Sequence, residues 1–144
     1  MLYEHPADNQ TYLLNLIDTP GHVDFSYQVS RSIRACEGAV LIVDATKGIQ
    51  AQTISNFYQA FDAGLQIIPV INKIDLQAAD VPEAEEALVD QLDFALEDIL
   101  YISAKNGINL QSVFDAIIDR IPAPKISATD ELLKCFLFDA RFIP

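Results

Sequence analysis

Asp18-Thr19-Pro20-Gly21-His22 closes the run TYLLNLID, Asn72-Lys73-Ile74-Asp75 follows QIIPVI, and Ser103-Ala104-Lys105 ends ILYIS. In the first group, a carboxylate ending a buried strand can hold a hydrated Mg²⁺, and the glycine lets a backbone N–H approach a terminal phosphate. His22 could orient an attacking water. The same residues also make an ordinary turn, since Pro and Gly are common there. In the second group, the Asp75 carboxylate can accept two hydrogen bonds from N1–H and N2–H₂ of a guanine, an edge adenine does not offer. Asn72 can pin the loop or the base edge, and the Lys73 stem can lie over the ring. A polar loop after any strand often has this composition. In the third, the Ala104 N–H can meet guanine O6 and Lys105 can cover the other ring face, although these three residues alone fit any strand-to-turn transition. Their order (phosphate, base, base) and their shared place at strand C-termini, where open α/β sheets bind ligands, make the three together more specific than any one.

Apolar segments alternate with helix-like ones, the pattern of a parallel sheet covered by helices. Residues 11–18 read as a strand, with 1–5 as its hairpin partner across the turn-rich 6–10. A short helix is predicted over 23–34, and AVLIVD at 39–44 reads as a strand buried on both faces. A helix over 51–63 should stop at Gly64. The strand at 66–72 contains Pro69, which cannot donate to a ladder and suggests local irregularity. Asp80 and Glu83 have capping-box spacing and open a helix to about residue 96, followed by a short strand at 99–103. Leu110, Val113, Phe114, Ile117, Ile118 and Ile121 form one apolar helical stripe, ended by Pro122-Ala123-Pro124. A new strand at 132–139 reads as the start of a second domain.

With 144 residues and 51% hydrophobic content the chain can bury an ordinary domain core. A net charge of −12 argues against sequence-independent nucleic-acid binding, and no DNA partner is expected. Contact with one docked RNA element is compatible with that total. Cys36 and Cys135 follow no metal or redox spacing, so structural thiols in a reducing compartment are expected. No apolar run approaches the ~20 residues of a membrane span, and no targeting signal is visible at the N-terminus. His5 reads as a solvated strand residue.

DTPGH followed by Val23-Asp24-Phe25, then NKID and SAK, resemble the third, fourth and fifth guanine-nucleotide motifs of translational GTPases. Ser26-Tyr27-Gln28-Val29-Ser30-Arg31-Ser32, Gly48-Ile49-Gln50-Ala51-Gln52-Thr53 and CFLFDARF resemble the elongation factor 4 (LepA) family in particular, across almost the whole chain. Asn56-Phe57-Tyr58 and Ile68-Pro69-Val70-Ile71-Asn72 resemble its mitochondrial branch. The resemblance implies a GTPase domain bound to the ribosome near its factor-binding RNA, acting in back-translocation or fidelity with GTP/GDP and Mg²⁺. It places Mg²⁺ on Asp18 through water, Thr19, Pro20 and Gly21 beside the γ-phosphate, and His22 on the hydrolytic water. Asn72, Lys73, Ile74 and Asp75 would read guanine, supported by Ser103, Ala104 and Lys105. It further implies the matrix side of the inner mitochondrial membrane, with peripheral association there, or else a bacterial cytoplasm.

The expected fold is α/β: an incomplete P-loop-NTPase-type, doubly wound, mostly parallel sheet with helices on both faces. Residues 1–124 would be a partial GTP-binding domain, and 125–144 a linker plus the first strand of a β-barrel domain. No Gly-x-x-x-x-Gly-Lys-[Ser/Thr] occurs, and the first switch with its metal-binding Thr is also missing. The chain is therefore expected to begin partway through the domain and to be a poor GTPase. Two further readings stay open: a truncated, non-catalytic guanine-nucleotide-binding module, and the GTP-binding domain of another translational GTPase.

Overall fold

The computed structural model describes residues 1–19 and 26–124. The expected strand at 132–139, Cys135, and Pro20, Gly21 and His22 lie outside those residues. Two sheets are present. Strands β1 (Leu2–Glu4) and β2 (Thr11–Leu13) pair antiparallel, with Tyr3 opposite Tyr12. Strands β3 (Gly38–Asp44), β4 (Gln66–Asn72) and β5 (Leu100–Ile102) form a parallel sheet in that order. The connections are helices: α2 (Ala51–Asp62) between β3 and β4, and α3 (Val81–Leu92) between β4 and β5. Helix α1 (Ser26–Arg34) precedes β3, and α4 (Leu110–Arg120) follows β5.

β4 is central, and its side chains alternate between two cores. Ile71 meets Val43, Phe57, Leu88 and Leu92 on the α2/α3 face. Ile68, Val70 and Ile102 meet Ala116 and the Leu110, Val113, Ile117 and Ile121 stripe on the α4 face. Four of the six residues of the expected stripe pack here together with Ala116, while Phe114 turns to Tyr3 of the hairpin. Gly38 sits where a Cβ would collide with the Ile121 side chain, so a glycine lets the start of β3 pass the end of α4.

Several expectations are corrected. β2 ends at Leu13, and residues 14–18 form no strand. β3 is not buried on both faces: Ile42 is 57% exposed, because α4 covers β4 and β5 but leaves this part of β3 open. Pro69 causes no irregularity. The Asn72 carbonyl accepts from Ala45 N on the β3 side, so by the two-residue alternation Pro69 addresses β5. It lies one residue before that ladder starts at Val70 and Leu100, so its missing N–H removes no ladder bond. α3 stops at Leu92 rather than near 96, because Asp93 adopts a left-handed φ of 58° and caps it. Its start is capped by Asp80, whose carboxylate accepts from Glu83 N at 3.1 Å, while Asp80 N donates to the Ala45 carbonyl.

His5 is the clearest correction. It is buried, with its ring edge-on to Tyr12 and its nitrogens 3.4 Å from Asp8, 3.9 Å from Asp115 and 3.7 Å from Asp119. Burial arises because the hairpin docks on α4: Tyr3 packs against Phe114 and its hydroxyl donates to Asp115 at 2.7 Å. Cys36 is a free, half-buried thiol, pushed up by that burial and by the Glu37 charge. No helix among the described residues is long and apolar enough to cross a membrane.

Candidate nucleotide-binding site

Two loops leave the C-terminal ends of β4 and β5 and meet. The first begins with Asn72 at the strand end and turns at Lys73, whose φ of 68° is left-handed, an uncommon state for a residue with a Cβ. The turn is held by Asn72 itself: its Oδ1 accepts from Lys73 N at 2.7 Å and from Ala104 N at 3.0 Å. One side chain thus ties both loops together. Ile74 N donates to the Ile102 carbonyl at 3.3 Å, and its side chain packs on the α2/α3 core.

The second loop starts at Ser103, which is 1% exposed. Ser103 and Ile108 exchange backbone hydrogen bonds, and the Ser103 hydroxyl accepts from Asn106 N at 3.3 Å. Gly107 (φ 72°) and Asn109 (φ 55°) supply the left-handed steps that close it. Asn109 Nδ2 donates to the Tyr101 carbonyl at 2.9 Å. Asn106 then reaches the first loop, donating from Nδ2 to Asp75 Oδ2 at 2.9 Å.

Between the loops lies a cleft of about 390 Å³ lined by Asn72, Lys73, Asp75, Leu76, Ser103, Ala104 and Lys105. That is a size suited to a small-molecule ring, with a few polar groups on an otherwise apolar surface. Six of the seven lining residues were singled out from the sequence, and Leu76 is the addition. A larger groove of about 570 Å³ lies between α1 and α2, lined among others by Ile33, Arg34, Cys36 and Gln59. Ser30 and Asp62 also line it, but none of the residues of the three motifs does, so the smaller cleft is the better candidate.

Asp75 is exposed, and its second oxygen has no partner among the described residues. Lys73 extends away from its own loop to Asp44 at the end of β3, Nζ to Oδ2 at 2.7 Å. Asp44 Oδ1 accepts from Thr46 N at 2.9 Å and Thr46 Oγ1 at 2.7 Å. Burial works against the Asp44 charge, but the bonds from Lys73 and Thr46 and the Lys73 charge outweigh it. They hold the carboxyl at about 2, below its ordinary 3.8.

The first motif is described only in part. Asp18 is exposed and Thr19 half-buried, and neither lines the cleft. Asp18 has no side-chain partner among the described residues, and no group of three or more metal-ligating side chains gathers there. A single exposed carboxylate fits contact with a hard cation through water, not a closed all-protein cage. The structure thus joins the second and third motifs, while Asp18 stands apart. Reading the sequence missed Asn106, Asp44 and Thr46. Asp44 did carry a usable signal, as an acid closing an apolar run of the sequence, as Asp18 closes TYLLNLID.

Residues 3–123 match the family model described as the elongation factor Tu GTP binding domain. A mitochondrial translation factor GUF1 homolog of Dictyostelium discoideum is 51% identical over 144 residues, covering 99% of this chain and 21% of that protein. Elongation factor 4 of Clostridium acetobutylicum is also 51% identical over 144 residues, covering 99% and 23%. The mitochondrial translation factor GUF1 homolog of Arabidopsis thaliana is 52% identical over 145 residues, covering 99% and 22%. The chain spans between a fifth and a quarter of the length of these curated relatives. With one domain model matched across most of its length and this agreement with both bacterial and mitochondrial sequences, the chain belongs to the elongation factor Tu GTP-binding domain family, in its elongation factor 4 group.

Proposed function

We propose that this chain is the guanine-nucleotide-binding part of a ribosome-associated GTPase of the elongation factor 4 kind, which couples GTP hydrolysis to back-translocation or fidelity in protein synthesis. The observation that carries this reading is the convergence of Asn72, Asp75 and Ser103–Lys105 on one cleft. Asp75, oriented by the Asn106 bond to Oδ2, presents its two carboxylate oxygens to guanine N1–H and N2–H₂, one to each, since the bonded oxygen keeps a second lone pair. Both acceptor contacts of Asn72 fall on Oδ1, so its Nδ2 is the donor left for the base edge. The Ala104 N–H, engaged by Asn72 Oδ1 at 3.0 Å, turns towards O6 or is shared with it when a base enters. The stems of Lys73 and Lys105 flank the ring.

On the phosphate side, Asp18 would hold Mg²⁺ through water, with Thr19, Pro20 and Gly21 beside the γ-phosphate and His22 positioning the attacking water. Mg²⁺, when bound, neutralises charge on the phosphoryl oxygens. By likeness to the named relatives, the whole protein would work in mitochondria or in a bacterium, and the family resemblance read from the motifs extends this to the matrix face of the inner membrane or to the bacterial cytoplasm. A non-catalytic guanine-binding module is the second reading, favoured by one feature: the base end is braced within the described residues, whereas Asp18 has no partner there.

Titration of the purified chain with a fluorescent guanine nucleotide, with and without Mg²⁺ and against an adenine analogue, tests the binding reading. Guanine-selective binding is expected. Equal binding of adenine and guanine, or none by a folded chain, would refute it. Adding ribosomes and following phosphate release separates the two readings: stimulated turnover supports the enzyme, and binding without turnover supports the module.

A further inference from the structure

The Lys73 side chain, in the middle of the base-binding loop, does not hang free. β3 and β4 lie in register so that Asp44 stands directly opposite Asn72, and the left-handed turn at Lys73 sends its side chain back across the strand ends to Asp44. Asp44 is itself aimed. Thr46 occupies Oδ1 with two hydrogen bonds, one from its backbone and one from its hydroxyl, leaving Oδ2 for the ammonium at 2.7 Å. Lys73 also lines the cleft, so the stem stretched between its backbone and Asp44 is a wall of that cleft. A lysine stem has four rotatable carbons and substantial rotamer entropy, and fixing it before a ligand arrives removes that cost from binding.

We propose that Asp44, oriented by Thr46, is a positioning residue of the guanine site that holds the Lys73 stem in place as the wall against which the base face lies. This assignment rests on the guanine-binding reading above. Asp44 touches no part of the base. It acts through Lys73, and because a wall contacts the face of any purine, it sets affinity without setting which base is chosen. Asp75 sets the choice.

The test is a double-mutant cycle on the 144-residue chain with Asp44→Asn, Lys73→Met and the double variant. Affinity and dissociation rate are measured with fluorescent GDP and with the inosine analogue, which lacks the N2 amine. Circular dichroism checks each fold, and Asp75→Asn serves as the reference for base choice. Asp44→Asn is expected to bind guanine about fivefold more weakly, mostly through faster dissociation, with the guanine-to-inosine ratio unchanged. Lys73→Met should lose a similar factor, and the double variant should be no worse than the weaker single, the non-additivity of a pair acting as one unit. A merely structural role would give additive losses. Wild-type affinity in folded Asp44→Asn, or additive losses around the cycle, would overturn the assignment. If Asp44→Asn does not fold, unchanged dissociation from Lys73→Met overturns it equally. Loss of guanine choice in Asp75→Asn alongside an unaffected Asp44→Asn would sink only the Asp44 role. A wild-type chain without guanine preference would sink the guanine reading, and this assignment with it.

Discussion

The three-stranded sheet and the β1–β2 hairpin are held by different means. Ile68, Val70, Ile71 and Leu88 are each 0% exposed, so the sheet rests on burial from both sides of β4. The hairpin's outward pair, Leu2 opposite Leu13, is 72% and 66% exposed, and its inward face is joined to α4 by Tyr3, Phe114, Asp115 and His5. Burial of several large side chains outweighs a few polar contacts around one histidine. The base-binding loops spring from the ends of β4 and β5, whereas Asp18 follows the hairpin.

Replacing Leu88 by Ala should give the largest effect, about 2–5 kcal/mol of lost stability in a denaturant melt. The matching change in the hairpin, Leu13→Ala, should stay within ~0.5 kcal/mol, because its side chain leaves little water behind on folding. Equal losses at the two positions would erase the contrast. Tyr3→Phe comes next. It removes the 2.7 Å bond to Asp115 and should speed amide exchange about fivefold in residues 2–13 while leaving β4 unchanged. A global change would mean that hairpin and sheet open as one unit.

The smallest effect is acid-dependent. Asp44 is held at about 2, below its ordinary 3.8, so its pairing stabilises the fold fully above 3.8 and is lost as pH falls to about 2. Lys73 is 48% exposed, and solvent screening keeps the pair within ~1 kcal/mol. Melting temperature measured from pH 5 to 2 should therefore fall less steeply in Asp44→Asn than in the parent chain. Parallel curves would show that the pair adds nothing to stability.

The sequence made the base end legible because its signals are local: Asn72 and Ser103 stand at strand ends, and short motifs follow each. That the sheet is parallel and covered by helices was legible in the alternation of apolar and helix-like segments, and the core-facing side of α4 in its periodicity, whereas the strand order was not. What stayed hidden depends on distant residues meeting. Asp75 meets Asn106 across 31 positions and Lys73 meets Asp44 across 29, and no pattern within a window reports such pairs. His5 looked solvated because its neighbours Asp115 and Asp119 come from the other end of the described chain. The overlong helix at 81–96 has another cause. Helical propensity continues past Leu92, but a left-handed Asp93 with Phe94 packed against Phe57 turns the chain back first.

The most direct test of the base-reading site is a swap of specificity at Asp75. In Asp75→Asn the side chain can still accept from N1–H, but its amide donates where the carboxylate accepted, which suits the C2 carbonyl of xanthine and opposes the C2 amine of guanine. The account predicts that this variant, folded as the parent, loses about 100-fold in guanine-nucleotide affinity and gains binding of the xanthine nucleotide. An unchanged guanine-to-xanthine preference in the folded variant would contradict it.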